Sequence, residues 1–307
     1  MTTAAGVPET RGELEGDEAF ETLRSTGRVA LLRDAVVRFR AADGFSHSRA
    51  LAFQLTLTLL PALIALVGLT ASLDEGATRR TLQDAIDALA PGAVGDILRT
   101  ALREGADGSG ATALVFGLIA AVFAGTTAMA QLERGANRLY GVERDRPFLR
   151  RYGTAFVLAL IAGTLVSIAV GLLVAGKAFV DGLGPSDTAE DLLELALWPV
   201  GLAAVITAIG LLFEVVPNRR QPEASWLALG GGVAAVLFLL VLALLDEWLD
   251  AAGNFGDTYG SLAGTVGLLL WTFGASASLL LGLAVCAQLE AVRAGAPLPR
   301  VDRSHNL

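Results

Sequence analysis

Long apolar segments alternate with short polar ones along most of the chain. Six of these segments reach about 20 residues, the length that a helix needs to cross the roughly 30 Å hydrocarbon core of a bilayer. They occupy residues 51–73, 111–130, 152–176, 195–216, 224–245 and 259–289. The first segment carries no charged side chain and contains Pro61, which predicts a kinked helix. The pattern predicts an all-α, polytopic membrane fold with six transmembrane helices.

A different, amphipathic pattern precedes the first span, over residues 23–50. Apolar residues recur there at helical spacing between arginines: Val29, Leu32, Val36 and Phe39. This spacing predicts an N-terminal interfacial amphipathic helix whose arginines lie among anionic head groups. The alternative is an ordinary cytoplasmic helix packed on the bundle.

The polar stretch between the first two spans, residues 74–110, contains two short amphipathic patterns. Pro91 and Gly92 separate them. We therefore expect an extracytoplasmic helical hairpin that rests on the outer face of the bundle.

Both ends of the chain are polar. Residues 1–22 are acidic and contain no apolar segment, which predicts a disordered tail. Residues 291–307 predict a second disordered tail. The six-span membrane domain lies between them, at residues 51–290.

The distribution of basic residues predicts the orientation of the chain. With six spans in place, seventeen arginines lie in the segments of one side, and five basic residues lie in those of the other. Cytoplasmic segments are enriched in arginine and lysine near the span ends. Both termini are therefore predicted to be cytoplasmic, in the plasma (inner) membrane. The mean hydropathy of +0.58 fits this class, and the net charge of −8 reflects acidic outer segments.

The residue types of catalytic and metal centres are scarce. Cys286 is the only cysteine, and His47 and His305 are the only histidines. Metal-dependent cleavage of RNA needs clustered carboxylates and histidines, and the acidic clusters here lie in the predicted outer segments. We therefore expect no enzyme activity, no cofactor, no metal and no nucleic-acid partner.

Polar residues at membrane depth are costly and often functional. We therefore single out candidate substrate or lipid contacts in the spans and at their ends: Gln54, Thr58, Gln131, Glu214, Asn218, Tyr259 and Ser261. For the hydroxyl groups, the alternative is a hydrogen bond to the backbone of their own helix. For Glu214, the alternative is an ion pair with Arg219 or Arg220 at the interface.

The densest polar group follows the second span and consists of Glu133, Arg134, Asn137, Arg138 and Arg146. A spacing of four places Glu133 with Asn137, and Arg134 with Arg138, on two ridges of one helix. Guanidinium groups bind phosphate through paired donors, so this group is a candidate site for an anionic group such as a lipid phosphate. The alternative is a set of salt bridges in a region that is basic because it is cytoplasmic.

Four stretches follow one another along the chain: HSRALAFQLTLTLLPALIAL at 47–66, ERGANRLYGVERDRPFLRR at 133–151, Pro217-Asn218 before a basic turn, and FGDTYGSLAGTVGLLLWTF at 255–273. In this order they resemble the YihY/BrkB (virulence factor BrkB) family, formerly labelled ribonuclease BN. Arg49 and Thr58 depart from the family pattern. The resemblance implies a six-span inner-membrane protein, with relatives tied to virulence, serum resistance and envelope lipid transport. It also implies that the ribonuclease label is a misassignment.

Two functions fit this sequence. Proline- and glycine-broken spans with polar residues at their ends favour a transporter-like protein for a lipid or other amphiphile of the cell envelope. The alternative is a non-transporting structural or regulatory membrane component that assembles with partners. Small residues four apart, as at Gly117, Ala121 and Gly125, let helices approach closely. The expected partners are therefore membrane lipids and a second copy of the chain.

Overall fold

The computed structural model describes residues 4–10, 14–73, 110–183, 212–251 and 262–299, with scattered positions between 199 and 210. Every regular element in this part of the chain is an α-helix, which confirms the all-α prediction. The helices are α1 (Gly16–Thr26), α2 (Arg28–Ala41), α3 (Gly44–Leu73), α4 (Gly110–Tyr140), α5 (Phe148–Leu183), α6 (Ala224–Ala251) and α7 (Leu262–Arg293). A shorter apolar helix, Val205–Val215, precedes α6.

Five of the described helices, α3 to α7, are long and apolar enough to cross a membrane. They correspond to the first, second, third, fifth and sixth predicted spans, so the polytopic membrane fold is confirmed. The fourth predicted span, 195–216, is described only in part and is represented by the Val205–Val215 helix. Residues 74–109, which carry the predicted hairpin, lie outside the described residues. The orientation of the chain stays a prediction.

The spanning helices run further than the apolar pattern predicts. α3 begins at Gly44 rather than Leu51, and α4 continues to Tyr140 rather than ending at Ala130. Hydropathy marks only the part of a helix that lies in lipid, whereas backbone hydrogen bonding continues through the polar residues beyond it. The polar extensions are residues 44–50 of α3 and 131–140 of α4. They meet at one end of the bundle, which we call the arginine-rich end.

The last turns of α7 form the centre of the arginine-rich end. Residues 282–291 are buried on every side of this helix, which is typical of a helix enclosed by protein. α2, α3, α4 and α6 all pack on α7. Large side chains from the surrounding elements close around it: Phe39, Leu51, Leu132, Phe213 and Trp226. The core therefore lies at this end, while outer positions of the spans such as Phe123 are exposed.

α6 crosses α7 at two glycines that face each other. A Cβ atom on Gly230 would collide with Gly282 and with the sulfur of Cys286. A Cβ atom on Gly282 would collide with the Gly230 carbonyl and with Ala234. The two backbones are therefore in direct contact, and neither position has room for a side chain.

The small-residue face predicted on α4 is used within the chain. A Cβ atom on Gly117 would collide with the backbone of α3 at Pro61 and Ala65. One on Gly125 would lie 3.6 Å from the methyl group of Thr58. This face therefore brings α3 close to α4, and association of two copies through small-residue faces stays a prediction.

The prediction of a disordered tail over residues 1–22 is wrong for residues 4–10 and 14–22. Ala4 and Val7 are 2% and 8% exposed and belong to the core at the arginine-rich end. The N–H of Val7 donates to the carbonyl of Tyr140 at 3.0 Å. Two apolar side chains in a polar segment are too weak a pattern to predict such packing.

The predicted tail at residues 291–307 is described as far as Pro299. α7 continues to Arg293, and the N–H of Ala5 donates to the Pro299 carbonyl at 3.2 Å. The described parts of the two terminal segments therefore meet at the arginine-rich end, contrary to the disorder predicted for residues 291–299. Residues 300–307 lie outside the described residues.

The single interfacial helix predicted over residues 23–50 is divided among three helices. Gly27 (φ 89°) separates α1 from α2, and Asp43 (φ 55°) separates α2 from α3. Glycine and aspartate tolerate such positive φ values better than other residues. α2 packs on α7 and buries Leu31, Ala35 and Phe39, as in the alternative of a helix packed on the bundle. Contact of its exposed face with lipid stays a prediction.

Replacing Gly282 by alanine is expected to destabilise the protein by about 1–3 kcal/mol, because the added methyl group overpacks the crossing of α6 and α7. Gly153→Ala is the matched control, since a Cβ atom at Gly153 meets no atom within 4 Å. Thermal denaturation of the protein in detergent, followed by size-exclusion chromatography, measures both variants. Equal melting temperatures would contradict the close crossing.

Candidate functional site

A buried polar network joins the end of α4, the loop that follows it and the turn after the Val205–Val215 helix. We call it the polar junction, and it consists of Glu133, Asn137, Asp145, Arg146 and Asn218. The NH1 atom of Arg146 lies 2.9 Å from Oε2 of Glu133, and the two side chains are 11% and 1% exposed. These charges are largely withdrawn from solvent, so each depends on the other for compensation.

Arg146 also caps the C-terminal end of the Val205–Val215 helix. Its guanidinium donates to the carbonyls of Val215, Val216 and Pro217 at 3.0, 2.9 and 3.1 Å. The last carbonyls of a helix lack partners within the helix, and a cation is favourable there. One side chain therefore ties the end of this helix to the carboxylate on α4.

Asn137 uses both ends of its side-chain amide in the polar junction. Its Nδ2 donates to Oδ1 of Asp145 at 2.8 Å, and its Oδ1 accepts the N–H of Asn218 at 2.8 Å. The Asn218 side chain then donates to the carbonyl of Arg144 at 3.0 Å. Asn137 is fully buried, so these bonds replace water at the amide.

The five residues predicted as an anion site divide between the inside and the surface. Glu133, Asn137 and Arg146 are held within the polar junction, as in the alternative of internal salt bridges. Arg134 is exposed and Arg138 is half-exposed. Only these last two arginines face outward from this part of α4, and contact between them and a phosphate group stays a proposal.

A second buried group, which spacing along the chain does not reveal, lies beside the first. We call it the arginine cluster, and it consists of Arg38, Tyr140, Arg219, Gln288 and Glu290. The NH2 atom of Arg219 lies 2.7 Å from Oε1 of Glu290, with side chains 3% and 0% exposed. The Arg219 guanidinium carbon lies 4.6 Å from the centroid of the Tyr140 ring, which adds a cation–π contact.

Arg38 enters the arginine cluster from α2 and is fully buried. Its Nε donates to Oε1 of Gln288 at 2.8 Å, and its NH1 donates to the carbonyl of Leu139 at 3.2 Å. Burial lowers the pKa of the Arg38 guanidinium to about 10, which leaves it charged at neutral pH. The only sequence signal was a polar pair, Gln288 and Glu290, at the end of the last span.

Glu214 is exposed at the end of the Val205–Val215 helix. Of the two ion pairs suggested for Glu214, the one with Arg219 is wrong, because Arg219 turns inward to Glu290. The one with Arg220 stays a prediction. Sequence proximity favoured the local pair, but the buried carboxylate on α7 competes successfully for the same guanidinium.

Two separate interhelical hydrogen bonds join three spans at membrane depth through polar side chains, one from α3 to α4 and one from α3 to α7. We call the four residues that form them the polar line, which consists of Gln54 and Thr56 on α3, Thr127 on α4 and Thr272 on α7. The hydroxyl of Thr127 donates to Oε1 of Gln54 at 2.7 Å. The hydroxyls of Thr56 and Thr272 are hydrogen-bonded at 3.0 Å. Thr58 donates to the Gln54 carbonyl of its own helix at 2.8 Å, as in the alternative for hydroxyl groups. The hydroxyls of Thr56, Thr127 and Thr272 also lie within hydrogen-bond distance of carbonyls of their own helices, in addition to their contacts between helices.

The remaining predicted residues are placed separately. Gln131 is hydrogen-bonded to His47 at 3.3 Å, which joins α4 to the start of α3. Tyr259 and Ser261 lie outside the described residues. Among the residues that are described, no group of three His, Cys, Asp or Glu side chains could hold a metal ion.

Replacing Arg146 by methionine is expected to destabilise the protein by about 3–5 kcal/mol, because it leaves Glu133 buried without its counter-charge. The double variant Arg146→Met/Glu133→Leu should recover only part of this loss, since the carbonyls of Val215 to Pro217 still lack a donor. Denaturation in detergent measures the cycle, with Arg150→Met as an exposed control. A single variant no less stable than this control would argue against the polar junction.

Comparison with known proteins assigns the chain to a family. The family described as Virulence factor BrkB matches residues 35–304. The ribonuclease-like protein YfkH of Bacillus subtilis is 24% identical over 266 residues, which cover 85% of this chain and 96% of that protein. No solved structure matches the chain.

Two longer relatives are named only as UPF0761 membrane proteins. The protein from Halorhodospira halophila is 28% identical and that from Rhodospirillum centenum 26%, over 71% and 87% of this chain. The matched parts cover 48% and 59% of those relatives, so the chain corresponds to part of their length. The family match spans most of the sequence and the described helices are of membrane length, so the chain is an integral membrane protein of the BrkB family.

Proposed function

We propose that this BrkB-family protein is transporter-like and moves a lipid or other amphiphile within the cell envelope. The observation that supports this best is the polar line at membrane depth. Gln54, Thr56 and Thr127 are neither fully buried nor fully exposed. Polar groups that reach the edge of a bundle in lipid carry a free-energy cost, and they are often retained because they serve a polar substrate.

The surroundings of the polar line favour the same function. Ser276, one turn beyond Thr272 on α7, is fully buried, and its hydroxyl has no hydrogen-bond partner among the described residues. Pro61 lies within α3, the helix that carries Gln54 and Thr56. The helix continues through Pro61, and a proline inside a helix leaves one carbonyl of the preceding turn without its N–H donor, which adds a polar group beside these side chains. An amphiphile would place its polar head against Gln54 and Thr127, between α3 and α4, and its chains in the surrounding lipid.

We further propose that the arginine-rich end faces the cytoplasm of the plasma (inner) membrane, as the asymmetry of arginines favours. There Arg134 and Arg138, which point away from the polar junction, would contact the phosphate of an anionic lipid. Ribonuclease activity is not part of the proposal, although one relative is named ribonuclease-like. The residues that are described contain no carboxylate and histidine group able to hold the metal that such cleavage commonly uses.

Reconstituted vesicles test the proposal directly. The protein should increase the rate at which fluorescent phosphatidylglycerol crosses from the inner leaflet, measured by dithionite quenching at the outer leaflet. Thr127→Val should lower this rate about tenfold, equivalent to about 1.4 kcal/mol of lost head-group stabilisation. Thr126→Val is the matched control, because among the described residues the Thr126 hydroxyl donates to the Val122 carbonyl of its own helix and to no side chain of another helix.

Two results would count against transport along the polar line. Equal rates of lipid crossing for Thr127→Val and Thr126→Val would show that the moving lipid does not contact the polar line. If intact, reconstituted protein moves no anionic or zwitterionic lipid faster than protein-free vesicles do, the alternative of a non-transporting structural or regulatory component would be favoured. Co-purification of a fixed partner would then identify that component.

A further inference from the structure

Residues 4–10 lie across the arginine cluster, and we call them the N-terminal strap. NH1 of Arg38 donates to the carbonyl of Ala5 at 2.8 Å, and NH2 of Arg219 donates to that of Pro8 at 3.2 Å. The backbone N–H of Arg220 donates to Oε1 of Glu9 at 3.3 Å. At each of these three arginines, the strap supplies an oxygen atom that accepts a hydrogen bond.

Unpaired donors outnumber unpaired acceptors in the arginine cluster. Three guanidinium nitrogen atoms, NH2 of Arg38 and Nε and NH1 of Arg219, are buried and have no hydrogen-bond partner among the described residues. Oε2 of Glu290 and the hydroxyl of Tyr140 also have no partner among these residues. Buried donors are normally paired, so unpaired ones in one cluster point to an acceptor that binds there.

Positive charges also outnumber negative charges in the arginine cluster. Two buried guanidinium groups, on Arg38 and Arg219, are accompanied by one buried carboxylate, on Glu290. Buried charges are stable only when they are compensated, and here one positive charge is left over. Glu9, the carboxylate that the strap brings nearest, is exposed and bonds to a backbone N–H rather than to a guanidinium.

The strap is held mainly by hydrogen bonds rather than by apolar packing. Besides those from the arginines, the N–H groups of Ala5 and Val7 donate to backbone carbonyls. The N–H and the hydroxyl of Thr10 donate to Oε1 of Glu290 at 3.3 and 2.7 Å.

The buried side chains of the strap are Ala4 and Val7, while Gly6, Pro8 and Glu9 are exposed. It buries little apolar area, so its removal from the bundle costs far less free energy than the removal of a helix. A ligand that offers several oxygen atoms to the arginines can therefore compete with it.

We propose that the N-terminal strap is a displaceable cover over an anion site, in which the guanidinium groups of Arg38 and Arg219 bind a phosphate group. The phosphate oxygens replace the carbonyls of Ala5 and Pro8 and accept from the donors that have no partner. The phosphate belongs either to an anionic lipid head group or to free inorganic phosphate. This site is independent of the proposed transport, because none of its residues belongs to the polar line.

A spin label on the strap measures its displacement in the full-length protein. Gly6→Cys provides the position, because Gly6 is exposed and a Cβ atom there meets no atom within 4 Å. Cys286→Ala removes the only native thiol. In phosphatidylcholine nanodiscs the label should be immobile. Phosphatidylglycerol in the nanodisc, or inorganic phosphate in solution, should raise the ratio of mobile to immobile label about tenfold.

Two substitutions separate the site from general attraction to arginines. Arg219→Gln should abolish the release of the strap, whereas Arg220→Gln should preserve it, because Arg220 is exposed and meets the strap through its backbone. Val7→Ser removes a buried contact of the strap and keeps both guanidinium groups. It should lower the phosphate concentration needed for half-release about tenfold.

The outcomes are distinct. Release by inorganic phosphate in phosphatidylcholine identifies free phosphate as sufficient, and release only with phosphatidylglycerol identifies a lipid head group. A label that stays immobile under both conditions, in protein that elutes as a single folded species, overturns the proposal. Equal release in Arg219→Gln and Arg220→Gln also overturns it. If Arg219→Gln does not fold, an unchanged midpoint in Val7→Ser overturns it in the same way.

Discussion

The arginine-rich end depends on the ionic and polar groups that the last turns of α7 carry into a region enclosed by protein. Glu290 and Gln288 are fully buried, and a charged or amide group in such a place is stable only with a partner. Arg219 supplies one partner and brings the turn before α6 against α7. Arg38 supplies the other and brings α2 to the same place. The packing of three separate segments therefore follows from satisfying two side chains.

The spans could be predicted because hydropathy is a local property and each helix in lipid satisfies its own backbone. The helix ends and the N-terminal strap could not be predicted, because their partners are distant along the chain. Arg38 and Gln288 are 250 positions apart, and Arg219 and Glu290 are 71 apart. No pattern in one stretch of sequence indicates which of many arginines turns inward.

The candidate site, too, could be predicted from the sequence only in part. A spacing of four correctly placed Glu133 and Asn137 on one ridge of α4, but it did not show that this ridge faces inward. That depends on the loop after Tyr140, which returns Asp145 and Arg146 to the helix it has just left. Likewise, the cost of polar groups in lipid marked Gln54 as needing a partner without naming Thr127.

The amide of Asn137 has a mechanical consequence. One end of it holds the loop that leads into α5, and the other holds the turn that follows the Val205–Val215 helix. Because Asn137 itself belongs to α4, its side chain joins α4, the loop into α5 and the turn after the Val205–Val215 helix, and Arg146 ties two of the same segments together. Any rocking of these segments against one another would first have to break these contacts. They are therefore expected to move as one rigid body, and a conformational cycle would have to place its hinges elsewhere.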